Sequence, residues 1–144
     1  MGQSILVAFD GSDPATRAIE TAVTAFVDPD VTVVHVLDPA ALVGYAGMEG
    51  AVMTDLERIR ESREEEAAQL LSEAEEIADA AGASIETVTK VGDIANAVVQ
   101  HAEEEEMDHV VVGSHGRKGV RRLLLGSVAE RIVRRSPVSV TVVR

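Results

Sequence analysis

Five short segments rich in β-branched and aliphatic residues alternate with four segments of helical periodicity, and this leaves few folds open to the 144-residue chain. Ser4–Phe9 (SILVAF) reads as a strand buried on both faces, since nothing polar follows Ser4. Asp10-Gly11-Ser12-Asp13-Pro14 interrupts it, with Asp13 placed to cap a helix and Pro14 at the first helical position. Apolar residues then recur at 15, 18, 19, 22, 23 and 26, one face of a helix, until Asp28-Pro29-Asp30 breaks the pattern. Val31–Leu37 (VTVVHVL) is a second buried strand.

Asp38-Pro39 opens a loop that runs to about Met53 and carries glycines at 44, 47 and 50. A loop of that length in a compact domain is often functional. Thr54-Asp55-Leu56-Glu57 reads as a capping box for a long helix. Ala67, Leu70, Leu71, Ala74, Ile77, Ala78 and Ala81 fall on one face of it, and Gly82 ends it. Ser84–Val91 alternates as an edge strand would. Asp93 is placed to cap a helix running to about Glu106, with Ile94, Val98 and Ala102 inward. His109–Val112 is a fourth strand. Gly113–Gly126 is a loop rich in glycine and basic residues, and Ser127-Val128-Ala129-Glu130 is a second capping box, opening a helix to about Arg135. Ser136-Pro137 stops that helix before a last strand, Val138–Val143. The order βαβαβαβαβ implies a single α/β domain over residues 1–144, a parallel sheet covered by helices on both faces with right-handed crossovers. There is no internal repeat or interdomain linker.

Composition narrows the function. The 46% hydrophobic content supports a core, and the absence of cysteine excludes disulfides, thiolate metal sites and thiol nucleophiles. No apolar window approaches the length of a membrane span, and the N-terminal MGQSILVAFDGS lacks a basic n-region, so neither a membrane anchor nor a signal peptide is expected. The expected location is the cytoplasm. Acids outnumber bases 25 to 13, a formal charge of −12, which repels nucleic acid and anionic membranes. Only Lys90 and Lys118 are lysines, the remaining bases being arginines. The balance points to a halophilic source, where a Debye length of roughly 3 Å at 1 M salt lets like charges tolerate one another. The alternative is an ordinary acidic protein kept soluble by its charge.

The bases gather late, at Arg117, Lys118, Arg121, Arg122, Arg131, Arg134 and Arg135, and Glu130 is the sole acid between 113 and 136. Ligands of such sheets bind beyond the carboxyl ends of the strands, where the strand order reverses. Two loops are equipped for that: Asp10-Gly11-Ser12 after strand 1, and Gly113-Ser114-His115-Gly116, nine further residues, then Gly126-Ser127 after strand 4. The second has the parts of a phosphate cradle. Glycines let backbone N–H groups approach an anion, and Gly126-Ser127 stands at a helix N-terminus whose dipole favours negative charge. Ser114 and Ser127 add hydroxyl donors. The plain alternative is that the glycines shape turns and Ser127 caps its helix. A Walker A loop, the G-x-G-x-x-G fingerprint, a receiver-type acidic pair, HExxH and G-x-S-x-G are all absent. His35 and His101 read as packing residues and His115 as an exposed loop residue.

With those residues in place, the chain resembles the universal stress proteins of the UspA type along essentially its whole length. The family's nucleotide motif is G-2x-G-9x-G-[ST], and Gly113, Gly116, Gly126 and Ser127 match it with every spacing intact. ILVAFDGSDPA at the N-terminus, HVLDP, GDIANAVVQHA and SPVSVTVV match as well. The resemblance implies the ATP-binding branch and a Rossmann-like doubly wound, five-stranded parallel sheet in order 3-2-1-4-5 with two helices on each face. Asp10 then stands opposite Gly113, near the ribose and phosphates, where a divalent ion also sits. Val36 matches the position whose backbone reads adenine. Gly113 and Ser114 would lie along the ribose and α-phosphate, and Gly116, Gly126 and Ser127 would hold the phosphates. The family pairs through its last strand, so a homodimer through 138–143 is expected.

The chemistry is compatible. A carboxylate beside a triphosphate is repulsive unless a cation bridges them, so Asp10 with ATP implies Mg²⁺ or Mn²⁺. An uncharged last strand at a sheet edge invites pairing. The expected function is a regulatory module of the stress response that binds ATP, ADP or AMP, since Asp10 is the only acid near the expected phosphates. The alternatives are a slow ATPase or autophosphorylating protein, with Ser114, Ser127 and His115 as acceptors and Asp10 with a metal orienting water, and a scaffold dimer whose pocket is vestigial.

Overall fold

The computed structural model describes residues 2–40, 53–116 and 125–144. Its elements run β1 (Ser4–Ala8), α1 (Asp13–Thr24), β2 (Asp30–Leu37), α2 (Met53–Ala80), β3 (Ile85–Val91), α3 (Ile94–Glu104), β4 (His109–Gly113), α4 (Ser127–Arg135) and β5 (Ser139–Val143). All strand pairs are parallel and the order is β3-β2-β1-β4-β5. Four helices among the described residues cover this sheet, a Rossmann-like doubly wound domain as the alternation implied. Strand limits agree with the expected ones to within a residue: Phe9, Ser84 and Val138 fall just outside, and Gly113 joins β4.

The sheet divides the core in two. Ile5, Val7, Val31 and Val33 meet Ala18, Ile19 and Ala22 of α1 and Leu70, Leu71, Ala74 and Ala78 of α2. On the opposite face Leu6, Val34, Val36, Val110 and Val112 meet Val98 and Ala102 of α3 and Ala129 and Ile132 of α4. Consecutive residues of β1 thus serve opposite cores, which is why Ile5, Leu6 and Val7 are all fully buried. Each such side chain contributes about 1.5–3 kcal/mol relative to an exposed one. Ala81, expected on the inward face of α2, is exposed because the helix ends at Ala80 and the chain turns away.

The helix ends show what the sequence reading misplaced. Ser12, not Asp13, caps α1: its extended backbone sets the Oγ to accept the Ala15 N–H at 3.3 Å, and Asp13 becomes the first helical residue. α2 already includes Thr54, so Thr54 does not stand before that helix as a capping box requires. Gly82 does end α2, at φ +76° with Ala83 N–H donating to the Ala78 carbonyl at 2.9 Å. α3 closes two residues before Glu106, and by the same device: Glu106 takes φ +50° and Met107 N–H donates to the Ala102 carbonyl at 2.9 Å. Here a residue with a Cβ occupies the left-handed position, at a cost of about 1–2 kcal/mol.

His109 sits on β4 facing α1. Its Nε2 is 2.6 Å from Thr141 Oγ1 on β5 and its ring meets Phe26 edge-on, centroids 4.8 Å apart. Burial lowers its pKa below the usual 6.5.

Two outcomes follow for stability. Glu106→Gly relieves the left-handed strain, offset partly by glycine's greater unfolded entropy, and raises stability by about 0.5–1 kcal/mol in chemical denaturation. For His109, the unfolded chain takes up its proton first as pH falls through about 6.5, while the folded protein resists it. The His109 contribution is therefore constant above that pH and is lost as pH falls from there to the folded pKa. Denaturation midpoints from pH 8 to 5 should fall less steeply in His109→Gln than in the parent chain.

Candidate functional site

The carboxyl ends of β1 and β4 lie side by side, because Ile5 pairs with His109 and Val7 with Val111. From that junction the chain leaves β1 toward α1 on one face and β4 toward α4 on the other. The crevice between the departing loops is where an open parallel sheet takes its ligands. Asp10 and the described part of the glycine loop meet there.

On the β1 side, Gly11 takes φ +81° and the chain doubles back, so that Asp10 Oδ1 accepts the Ser12 N–H at 2.9 Å. His35 Nδ1, 2.8 Å from the Phe9 carbonyl oxygen, ties the end of β1 to β2. On the β4 side, Gly113 is buried against the start of α1: a Cβ there would lie 2.9 Å from Pro14 Cβ and 3.0 Å from the Ala15 nitrogen. Ser114, also buried, donates its N–H to the Val143 carbonyl at 2.7 Å, and its Oγ lies 3.1 Å from His115 Nδ1. A Cβ on Gly116 would fall 2.6 Å from Asp10 Oδ2, so the two loops touch at these residues.

The loop returns at Gly126, whose N–H donates to the Ser114 carbonyl at 2.6 Å. A Cβ on Gly126 would press on backbone, 3.0 Å from the Ser114 carbonyl oxygen and 3.1 Å from His115 Cα. Gly126 is also the N-cap of α4, its carbonyl accepting the Glu130 N–H at 2.9 Å. That corrects the capping-box reading. Ser127 is the first residue of the helix, exposed, and its hydroxyl makes no cap bond. The N-terminal N–H groups of α4 therefore have no side-chain cap.

Val36 stands apart from this cluster, one strand away on β2. Its side chain is buried against α3 and α4. Its backbone is another matter. The Val34 carbonyl accepts the Phe9 N–H on the β1 side and the Leu37 carbonyl accepts the Gly92 N–H on the β3 side. Backbone groups alternate along a strand, so Val36 faces the β1 side, beyond the last ladder pair, Ala8 with Val34. No partner on that side is found for it among the described residues.

The helical half of the basic segment is already engaged. Arg131 makes a two-pronged pair with Asp93, at 2.9 and 2.7 Å. Arg134 pairs with Glu130 at 2.9 Å, and Arg135 donates to Asn96 Oδ1. Arg131 and Arg135 thus lace α4 to α3, while Arg134 is paired within α4 itself. The hydrogen bonds from Arg131 hold the Asp93 carboxyl below the ordinary carboxylate range, and the Asn96 N–H, capped by the same carboxylate, adds to the effect. Arg117, Lys118, Arg121 and Arg122 lie outside the described residues, as does 41–52 of the expected long loop. Sequence reasoning missed the Asp93–Arg131 pair and the backing of Gly113 by Pro14. The second had a signal: a glycine ending a strand often marks a close backbone approach.

No helix of the described residues is long and apolar enough to cross a membrane. Among those residues no group of three or more His, Cys, Asp or Glu is placed to hold a metal.

The comparisons with known proteins agree with one another. The chain is 33% identical over 144 residues to the universal stress protein MJ0531 of Methanocaldococcus jannaschii, covering 99% of this chain and 82% of that protein. The solved structure of the M. jannaschii protein MJ0577 superposes with a TM-score of 0.83 at 25% identity, covering 99% and 96%. A universal stress protein crystallised in complex with cAMP superposes with a TM-score of 0.64 at 30% identity, covering 99% and 97%. The family model of the universal stress proteins matches residues 1–144, and the chain belongs to the universal stress protein family.

Proposed function

We propose that this protein binds ATP, or another adenine nucleotide, in the crevice between β1 and β4 and serves as a regulatory module of the stress response. The observation that carries the reading is the convergence of Asp10, Gly113–Gly116 and Gly126–Ser127 on one crevice that faces the uncapped start of α4. The N–H groups and dipole of a helix start favour a phosphate. Gly126 lets the returning loop close on Ser114 and His115, where a Cβ would not fit, and Ser127 adds a donor from its exposed hydroxyl. Ser114 and Gly113 would border the ribose and α-phosphate, with Gly116, Gly126 and Ser127 around the outer phosphates. The outward backbone of Val36 would read the adenine edge. The related protein crystallised with cAMP supports an adenine nucleotide as the ligand class.

Asp10 fits a divalent cation carried with the nucleotide. It is the one carboxylate bordering the described crevice, and Mg²⁺ is commonly held by one or two carboxylates together with phosphates and water. Mg²⁺ or Mn²⁺ would neutralise the phosphates that Asp10 otherwise repels. We propose also a homodimer through β5, an edge strand whose Val140, Thr141, Val142 and Val143 are only half buried. A cytoplasmic, high-salt setting suits the −12 charge.

A second reading, phosphoryl transfer to the protein itself, is favoured by one contact, Ser114 Oγ to His115 Nδ1 at 3.1 Å. The transfer needs the nucleotide seated with its γ-phosphate, not its α-phosphate, at Ser114: His115 would take the Ser114 hydroxyl proton as Oγ attacks the γ-phosphorus and the β–γ bridging bond breaks, releasing ADP. Label from γ-³²P-ATP retained by the parent chain and lost in Ser114→Ala supports it; no retained label removes it.

Calorimetric titration in molar KCl, with ATP, ADP, AMP and cAMP and with or without Mg²⁺, tests the main reading. Gly126→Asp forces the loop apart at Ser114 and His115 and adds a negative charge beside the proposed phosphate site, and ATP affinity should fall at least a hundredfold with the circular dichroism spectrum retained. Asp10→Asn keeps an oxygen for the Ser12 N–H but loses the charge. Its Mg²⁺-dependent gain in ATP affinity should disappear. Binding unchanged in Gly126→Asp, or no binding of any of the four to the parent chain, contradicts the proposal.

A further inference from the structure

The face of the sheet opposite the crevice's α4 side carries a second concavity, remote from β4. It is a groove of about 550 Å³ between α2 and the free edge of the sheet. Glu64, Ala68, Leu71, Ser72 and Glu75 form its helical wall, one stripe of α2, and Thr87, Thr89 and Val91 of β3 form its sheet wall. Leu37 and Leu71 give it an apolar lining, and a glutamate stands toward each end of the stripe. No basic side chain is among the described residues that line it.

Among the described residues the sheet wall is also an unpaired hydrogen-bonding edge. β3 is terminal in the strand order. Gly92 N–H donates to the Leu37 carbonyl on the β2 side, so Lys90, Val88 and Glu86 turn their backbone groups inward along β2. By alternation, Ile85, Thr87, Thr89 and Val91 turn theirs outward. Those outward groups have no hydrogen-bond partner among the described residues. Val91, at the end of the edge, is 71% exposed. A flat row of donors and acceptors beside an apolar trough is the geometry of strand addition, in which main-chain bonds supply affinity and alternate side chains supply specificity.

We propose that this edge docks an extended, basic peptide segment of a partner protein, added to the sheet alongside β3. Charge selects the partner. Glu64 and Glu75 are eleven residues apart, about 16 Å along the helix, and two bases six residues apart on one face of an extended chain lie about 20 Å apart, a difference the long basic side chains span. Lysine or arginine side chains bracketing two small apolar ones on the same face would answer both glutamates. A second copy of this chain fits poorly. Its net charge is −12, and the one base of β3, Lys90, alternates onto the face away from the groove. The β5 strand, VSVTVV with its preceding residue, holds no base within it, and Arg144 after it could answer only one of the two glutamates.

The test uses the full chain and a fluorescein-labelled peptide, Ac-KTVTVTK-NH₂, followed by anisotropy at 0.1 M salt, with Ac-ETVTVTE-NH₂ as the control. The basic peptide should bind at least tenfold more tightly than the acidic one. The double variant Glu64→Lys/Glu75→Lys should reverse that order, which a merely misfolded chain cannot do. Thr89→Pro removes an outward N–H without touching the β2 ladder and should weaken the basic peptide at least tenfold with the thermal midpoint kept within a few degrees. Equal binding of both peptides, an order unchanged by the charge reversal, or a loss of self-association in Thr89→Pro would overturn the proposal, the last in favour of a second copy. Nucleotide binding is not involved in any of these readouts.

Discussion

The candidate site depends on one close approach. β4 ends against the first turn of α1 so tightly that Gly113 has no room for a Cβ, with Pro14 and the Ala15 nitrogen about 3 Å from where it would be. That contact sets the Asp10 turn beside the loop after β4, and Gly116 is then in reach of the Asp10 carboxylate. The Ser114 N–H bond to the Val143 carbonyl fixes the far side of the same loop to β5. Two strands about a hundred residues apart in sequence, already paired through the sheet, are thereby held with their departing loops in register. A side chain at Gly113 would force the strand from the helix, at a cost of about 1–3 kcal/mol, and would open the crevice as well.

Much of this was legible in advance, and for definite reasons. The strands of a parallel sheet buried on both faces must be nearly continuous in Val, Ile and Leu, so SILVA and VTVVHVL could hardly be anything else. The strand order and the meeting of Asp10 with the glycine loop came from the family resemblance, which rests on the spacing of Gly113, Gly116, Gly126 and Ser127. Helix starts were less legible. Ser12 and Asp13 are both good caps, and only the extended backbone of Ser12 decides between them. At α4 the sequence pattern fits a capping box from Ser127, yet Gly126 takes the cap and leaves the Ser127 hydroxyl exposed toward solvent. The misplacement matters chemically, since an uncapped helix start is the better anion site.

Tertiary electrostatics left no local trace at all. The arginines of the last third look like one electropositive segment in sequence, but Arg131 and Arg135 reach across to Asp93 and Asn96 on α3. They bind the two helices of that face together and do not serve the crevice. Glu64 and Glu75 are two among many acids of α2 and carry no signal in the sequence. Only the placement of Glu64 and Glu75 beside the open edge of β3 gives them a shared direction. The molecule thus has two ends of different character, a glycine-lined crevice suited to an anion and an acidic edge suited to a base.

The most direct measurement is a map of amide shifts in ¹⁵N-labelled protein during titration with Mg²⁺-ATP. The account predicts that the changes gather on Asp10–Ser12, Val36, Gly113–Gly116 and Gly126–Val128, with the β3 edge and the outer face of α2 unmoved. Changes centred on any other surface, or none at saturating nucleotide, would contradict the assignment of the crevice between β1 and β4 as the nucleotide site.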